Sequence, residues 1–164
     1  MASHGVNTTV QRVSPPAVPK PKVMPRHAWT RFKLALCQLA VTSDKERNIA
    51  SARAAIDAAA GRGAEVVVLP EIWNSPYSSA SFPEHAEDVG AGASPSWDML
   101  SEAARRNGVV LVGGSIPERE AGRLYNTCFV FDAEGRQLGR HRKVHLFDID
   151  IPGKIRFRES ETLA

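Results

Sequence analysis

An apolar strand, a helix and a second apolar strand follow one another over residues 32–69, and this order restricts the fold more than any other feature. Apolar residues alternate at the start of residues 32–39 and then become continuous, which is typical of a mostly buried strand. Residues 65–69 form a short apolar run that is typical of a strand buried on both faces. The order therefore predicts two parallel strands joined by a right-handed crossover.

The helix between these strands has recognisable ends. Ser43 and Glu46 have the Ser-x-x-Glu spacing of a capping box. Apolar residues then recur at helical spacing until Gly61 or Gly63, either of which can end a helix. We therefore predict a helix over residues 44–61.

The rest of the chain predicts a mixed sheet within an α/β fold. The expected elements, in chain order, are a loop over 72–93, a helix over 95–107 closed by Asn107 and Gly108, a strand over 109–112 broken by Gly113 and Gly114, and a hairpin with strands at 124–131 and 136–142. The residues between the last two strands, Asp132 to Gly135, favour a turn.

Residues 1–30 have a different composition from the rest of the chain. They contain five prolines and no acidic residue, and they have too little apolar surface to order themselves. A basic, hydroxyl-rich and acid-poor segment is typical of a chloroplast transit peptide, and the alternative is a plain disordered N-terminus with a cytoplasmic protein. We predict one domain over residues 32–164. A secretory signal is not expected, because no apolar core segment of a signal peptide is present.

The charge and the cysteines exclude several classes of function. Six of the 21 lysines and arginines precede the first acidic residue, Asp44, so the remaining chain carries more acidic residues than basic ones, and no nucleic-acid partner is expected. No apolar run is long enough to cross a bilayer, so no membrane segment is expected. Cys37 and Cys128 lie in apolar runs without a metal-binding or disulfide pattern, which predicts buried, unreactive thiols.

Two segments carry candidate site residues. Glu71 directly follows the strand at 65–69 and Pro70, at the carboxyl end where α/β sheets build their sites, although a capping role is an equal alternative from this position alone. Residues 140–147 contain Lys143 between Arg142 and Val144 in a basic run; taken alone, this run is typical of a solvated strand edge.

Taken together, the two segments resemble the nitrilase superfamily of carbon–nitrogen hydrolases. Residues 66–77, VVVLPEIWNSPY, resemble the segment of the catalytic glutamate, and residues 139–153, GRHRKVHLFDIDIPG, resemble the segment of the catalytic lysine. Residues 113–118 and 124–127 resemble the intervening strands. Residues 74–77 and 147–154 are most similar to the omega-amidases, which hydrolyse the terminal amides of 2-oxoglutaramate and 2-oxosuccinamate.

The resemblance implies an α-β-β-α sandwich, incomplete in this chain, and assigns roles to four residues. Glu71 resembles the general base and acid, Lys143 the ammonium that stabilises the oxyanion, and Glu159 a second glutamate that orients the lysine or the substrate. Tyr77 is expected to contact the substrate. The family mechanism needs no histidine, cofactor or metal, so His141 and His145 are expected to be structural.

The nucleophilic cysteine of the family lies beyond the lysine in a Gly-x-x-x-Cys-Tyr-Asp type segment, and neither Cys37 nor Cys128 has that context. We therefore expect a partial domain that is inactive alone and leaves apolar surface uncovered. The complete enzyme is expected to act on a small-molecule amide and to form a homo-oligomer. The alternatives are a non-catalytic subunit that associates with full-length hydrolase, and another superfamily amidase such as an N-carbamoylputrescine amidase.

Overall fold

The computed structural model describes residues 31–90 and 94–164. One sheet, in the order β1-β2-β3-β4-β5, organises this part of the chain, with β1 to β3 parallel and β3 to β5 antiparallel. Its strands are β1 (Leu34–Leu36), β2 (Val66–Val68), β3 (Val110–Glu120), β4 (Arg123–Phe131) and β5 (Gln137–Arg142). The predicted α/β fold with a mixed sheet is confirmed. The predicted tail at residues 1–30 lies outside the described residues.

Two long helices join the parallel strands. Helix α1 (Lys45–Gly61) links β1 to β2. Helix α3 (Pro95–Asn107) precedes β3 and is capped by Gly108, whose φ of 62° is left-handed. The predicted cap of α1 is wrong by one residue. Asp44 is the N-cap and accepts a hydrogen bond from the backbone N of Arg47 at 3.0 Å, so the reciprocal pair expected from Ser43 and Glu46 does not form.

Both helices pack on the same face of the sheet. Ala52, Ile56 and Ala59 of α1 recur at helical spacing and are buried against alternate strand residues such as Val67 and Leu111. The antiparallel strands complete this core, to which Met99, Leu100, Ala103, Phe129 and Phe131 also belong. Two crossovers of the same handedness, between successive neighbouring parallel strands, place both helices on the same side of the sheet.

The opposite face of the sheet is partly uncovered. Leu34 is 50% exposed and Leu36 is 73% exposed, so the prediction that the first strand is mostly buried is wrong. Alternation explains this result, because Ala35 points to the helical core while its neighbours in β1 point to the other face. The expectation of uncovered apolar surface is confirmed for the described part of the chain.

Strand β3 does not end at the glycine pair, as the sequence had suggested. It continues through Gly113 and Gly114 to Glu120, and its register with β4 shifts between Val112 and Ser115, which marks a bulge. The hairpin of β4 and β5 is confirmed, with Asp132 accepting from the backbone N of both Glu134 and Arg136 in the turn.

Four elements near the site were not predicted. The segment expected to be a loop contains helix α2 (Ser81–His85). The chain after β5 forms a separate antiparallel pair, β6 (Asp148–Ile151) and β7 (Ile155–Arg158), followed by a 3-10 turn (Glu159–Glu161). Among the described helices, none is long and apolar enough to cross a membrane.

Candidate active site

Glu71 lies in a tight turn at the carboxyl end of β2. The next residue, Ile72, has a φ of 49°, a left-handed conformation that is costly for a β-branched side chain, by about 1–3 kcal/mol. Ile72 is 1% exposed, and its backbone N donates to Ser115 Oγ at 3.0 Å. Burial and this bond hold the strained residue, so the turn presents Glu71 in a fixed direction.

The bulge in β3 packs directly against this turn. Gly114 has a φ of 61°, and a Cβ at this position would stand 2.1 Å from the carbonyl oxygen of Pro70. Only glycine therefore allows the two backbones to approach. Ser115 N donates to that same Pro70 oxygen at 3.2 Å, and Trp73 Nε1 donates to the Gly113 oxygen at 2.8 Å. The glycine pair expected to break a strand is thus the structure that positions Glu71.

Lys143 directly follows β5 and reaches Glu71 across the sheet. Its Nζ lies 2.9 Å from Glu71 Oε1 and 2.9 Å from Glu159 Oε2. Partial burial would lower the pKa of Lys143, but its contacts with Glu159, Glu71 and Tyr77 outweigh this and raise that pKa well above its usual value. The lysine is therefore a permanent cation between two carboxylates at neutral pH.

Glu159 is the buried member of this group. It is 0% exposed, and its carboxylate accepts from the backbone N of Phe147 at 2.6 Å and from Tyr77 Oη at 2.5 Å. Burial opposes ionisation, but these bonds and the Lys143 ammonium lower the pKa of Glu159 below its usual value. Because Glu159 also fixes Lys143, its contacts suit the orienting role expected of it.

Tyr77 lies between the charged residues. Its hydroxyl donates to Glu159, stands 3.2 Å from Glu71 Oε1 and accepts from Lys143 Nζ at 3.3 Å. The ring packs against Phe82 and Phe157, with centroids 5.7 Å and 5.6 Å away. Desolvation and the bond to Glu159 raise the pKa of the Tyr77 phenol, so it remains protonated. Sequence reasoning expected a substrate contact here and missed the link to both glutamates.

Asn126 of β4 was not singled out from the sequence. Its Nδ2 donates to Glu71 Oε1 at 2.7 Å, and its backbone oxygen accepts from the backbone N of Lys143 at 2.8 Å. One signal was available: asparagine is depleted in strands, and this one lies between Tyr125 and Thr127 in a run of good strand formers.

A pocket of about 400 Å³ opens beside the charged group. It is lined by Glu71, Asn126, Cys128, Lys143 and by the exposed His141 and His145, among others. Burial raises the pKa of the Cys128 thiol, whose weak contact is with the Phe129 oxygen at 3.9 Å. Burial also raises the pKa of Cys37, despite the nearby Arg62. Both thiols are half-buried rather than fully buried, and neither is hydrogen-bonded to a site carboxylate.

The arrangement is suited to proton transfer beside a fixed positive charge. A carboxylate at the pocket can accept a proton, and the adjacent ammonium can stabilise negative charge on an oxygen. Within residues 31–90 and 94–164, no three histidine, cysteine or acidic side chains form a group that could hold a metal ion.

The fold has counterparts among known proteins. Residues 33–164 match the carbon-nitrogen hydrolase family, and the chain belongs to that family. A solved structure of Nit3 from Saccharomyces cerevisiae, described as a member of branch 10 of the nitrilase superfamily, has a TM-score of 0.68 at 35% identity, covering 81% of this chain and 48% of that one.

Two relatives that match the chain are named omega-amidases. The chain is 58% identical over 148 residues to a protein named "Omega-amidase, chloroplastic" from Arabidopsis thaliana, covering 89% of this chain and 40% of that protein. It is 53% identical to the omega-amidase NIT2 of Danio rerio, covering 82% of this chain and 48% of that protein. The chain thus spans less than half the length of these relatives.

Proposed function

We propose that residues 31–164 form the glutamate and lysine side of an omega-amidase site, which hydrolyses short 2-oxo-acid amides such as 2-oxoglutaramate and 2-oxosuccinamate. The observation that carries the proposal is the Lys143 ammonium held 2.9 Å from both Glu71 and Glu159. The two named omega-amidases, at 58% and 53% identity, support the choice of substrate class.

The proposed reaction uses Glu71 as the proton carrier. Glu71 takes the proton of a cysteine thiol as the sulfur attacks the amide carbonyl, and it returns this proton to the nitrogen that leaves as ammonia. Lys143 stabilises the negative charge that develops on the carbonyl oxygen. Water then hydrolyses the thioester. No cofactor or metal takes part.

The nucleophile in this proposal is a cysteine outside the 164-residue sequence. Among the described residues neither Cys37 nor Cys128 has a carboxylate partner, and burial raises the pKa of both thiols, the opposite of what a nucleophilic thiol needs. The chain by itself is therefore inactive. The proposed compartment is the chloroplast, supported by the name of the Arabidopsis relative and the composition of residues 1–30, with the cytoplasm as the alternative.

Two measurements test this proposal. Sequencing transcripts past the codon for Ala164 is expected to reveal a Cys-Tyr-Asp type segment, whereas a verified stop codon in abundant mature transcripts would overturn it. The longest encoded protein is then assayed for ammonia release. Faster release from 2-oxoglutaramate than from N-carbamoylputrescine supports the omega-amidase assignment, and the reverse order favours the carbamoylputrescine amidase.

A second candidate function rests on the uncovered sheet face with Leu34 and Leu36. Exposed apolar surface of this kind suits a non-catalytic subunit that associates with a full-length hydrolase, itself a proposed homo-oligomer. Co-expression of the 164-residue chain with the full-length enzyme, followed by size-exclusion chromatography, tests this alternative. Separate elution of the two proteins would contradict it.

A further inference from the structure

Asn126 contacts both members of the Glu71 and Lys143 pair. Its side chain donates to Glu71 Oε1 at 2.7 Å, and its backbone oxygen accepts from Lys143 N at 2.8 Å. The residue is 3% exposed, so little water competes for these bonds. We propose that Asn126 is the positioning residue that makes Glu71 Oε2 the proton-accepting atom, an inference that rests on the proposed amidase function.

The two oxygens of Glu71 have different surroundings. Oε1 accepts from Asn126 at 2.7 Å and from Lys143 at 2.9 Å. Tyr77 adds no strong donor, because its single proton is directed to Glu159 at 2.5 Å rather than to Glu71 at 3.2 Å. Within the described part of the chain no donor bonds to Oε2. An oxygen that already accepts two hydrogen bonds from charged or amide donors is the poorer base, so Oε2 takes the proton.

This assignment fixes the proton path. As the bond between the cysteine sulfur and the amide carbon forms, the S–H bond breaks and an O–H bond forms at Oε2. The same proton then passes to the amide nitrogen as the C–N bond breaks, and ammonia leaves. In this proposal Asn126 does not carry the proton; it acts by holding Oε1 of Glu71 and the backbone of Lys143.

The chain offers a matched control for Asn126. Asn107 Nδ2 donates to Asp57 Oδ1 at 2.8 Å between α3 and α1, outside the pocket. Loss of either asparagine removes one amide-to-carboxylate bond, and N107A also loses the bond from Asn107 Nδ2 to the Ala103 oxygen, so both variants are expected to be less stable than the parent. The variant N126D keeps the shape of the side chain but replaces the donor with a carboxylate beside Glu71.

The first test needs no activity. In NMR spectra of the 164-residue chain, the side-chain amide proton of Asn126 is expected to resonate downfield of the side-chain amide protons of exposed asparagines. In the variant Glu71→Ala this downfield shift should be lost. The Asn107 amide protons should not respond to Glu71→Ala. An Asn126 signal at the ordinary position, or one unaffected by Glu71→Ala, would overturn the proposal.

The second test uses the longest protein encoded by the transcripts. N126A is expected to lower kcat about 10- to 100-fold with little change in KM, the size of a lost charge-assisted hydrogen bond. N126D should also move the acidic limb of the kcat/KM profile to higher pH, because a second negative charge makes the base easier to protonate. N107A and N107D should leave both readouts unchanged.

The outcomes separate the two proposals. An unchanged kcat and pH profile in N126A and N126D overturns the positioning role while leaving the amidase function intact. A parent protein that releases no ammonia contradicts the proposed function, and the NMR result then decides whether Asn126 holds Glu71.

Discussion

The Nζ of Lys143 lies 2.9 Å from Oε1 of Glu71, although 72 positions separate the two residues in the chain. Glu71 follows β2 and Lys143 follows β5, so the sheet and the bulge in β3 bring them together. The same ammonium also contacts Glu159, and the lysine therefore forms ion pairs with two carboxylates at once.

Because Gly114 lies so close to Pro70, adding a single methyl group at Gly114 is expected to destabilise the fold strongly. In Gly114→Ala the new Cβ would stand 2.1 Å from the Pro70 oxygen, so the turn that carries Glu71 must move. We expect a loss of about 3 kcal/mol or more in the free energy of unfolding, measured by urea denaturation. Gly139→Ala is the control, because a Cβ at Gly139 meets nothing within 4 Å; equal stability of the two variants would contradict the account.

The buried Glu159 predicts a component of stability that depends on pH. Because the pKa of Glu159 is lowered in the folded state, its stabilisation is present above the unfolded pKa of about 4.3 and is lost as the pH falls through the folded pKa. Glu159→Gln should therefore be less stable than the parent at neutral pH, with the difference shrinking in acid. Thermal unfolding scans between neutral and acidic pH measure this, and a difference independent of pH would be evidence against it.

Removal of the Tyr77 hydroxyl is expected to destabilise the fold even when the aromatic ring is kept. Tyr77→Phe keeps the packing against Phe82 and Phe157 but leaves the buried Glu159 without one donor, at a cost of about 1–3 kcal/mol. Tyr125→Phe is the control, because the described contact of Tyr125 is made by its ring, 3.7 Å from the Arg142 guanidinium. Chemical denaturation of both variants tests the difference, and identical midpoints would count against the Tyr77 network.

The two thiols are expected to react slowly with alkylating reagents. Burial raises the pKa of Cys128 and of Cys37, so the thiolate fraction at about pH 8 is smaller than for a free cysteine. Iodoacetamide labelling followed by mass spectrometry should be slow in the native chain and fast in urea. Rapid native labelling of Cys128, which lines the pocket, would reopen its candidacy as the nucleophile.

The sequence predicted elements that are encoded locally. Helix α1, helix α3 and the hairpin of β4 and β5 follow from periodicity and turn residues, and these signals lie within the elements themselves. The cap of α1 was misplaced because Ser43 and Asp44 are both good caps and only the chain path selects between them.

The site was only partly predictable for a physical reason. Glu71 and Lys143 were found through sequence motifs, but the role of Asn126 depends on the register of β4 with β3 and β5, which no local pattern specifies. The glycine pair was similarly ambiguous, because Gly113 and Gly114 can end a strand or form a bulge, and contact with Pro70 decides between the two.

The most direct test of the account is the rate of ammonia release from 2-oxoglutaramate by the longest protein encoded by the transcripts, with Glu71→Gln compared with Glu65→Gln. Glu65 is an exposed glutamate at the other end of β2 and makes the matched control. We expect Glu71→Gln to lower kcat by about 10²- to 10⁴-fold, the contribution of a general base, and Glu65→Gln to leave it unchanged. Equal rates for the parent and Glu71→Gln would contradict the central claim.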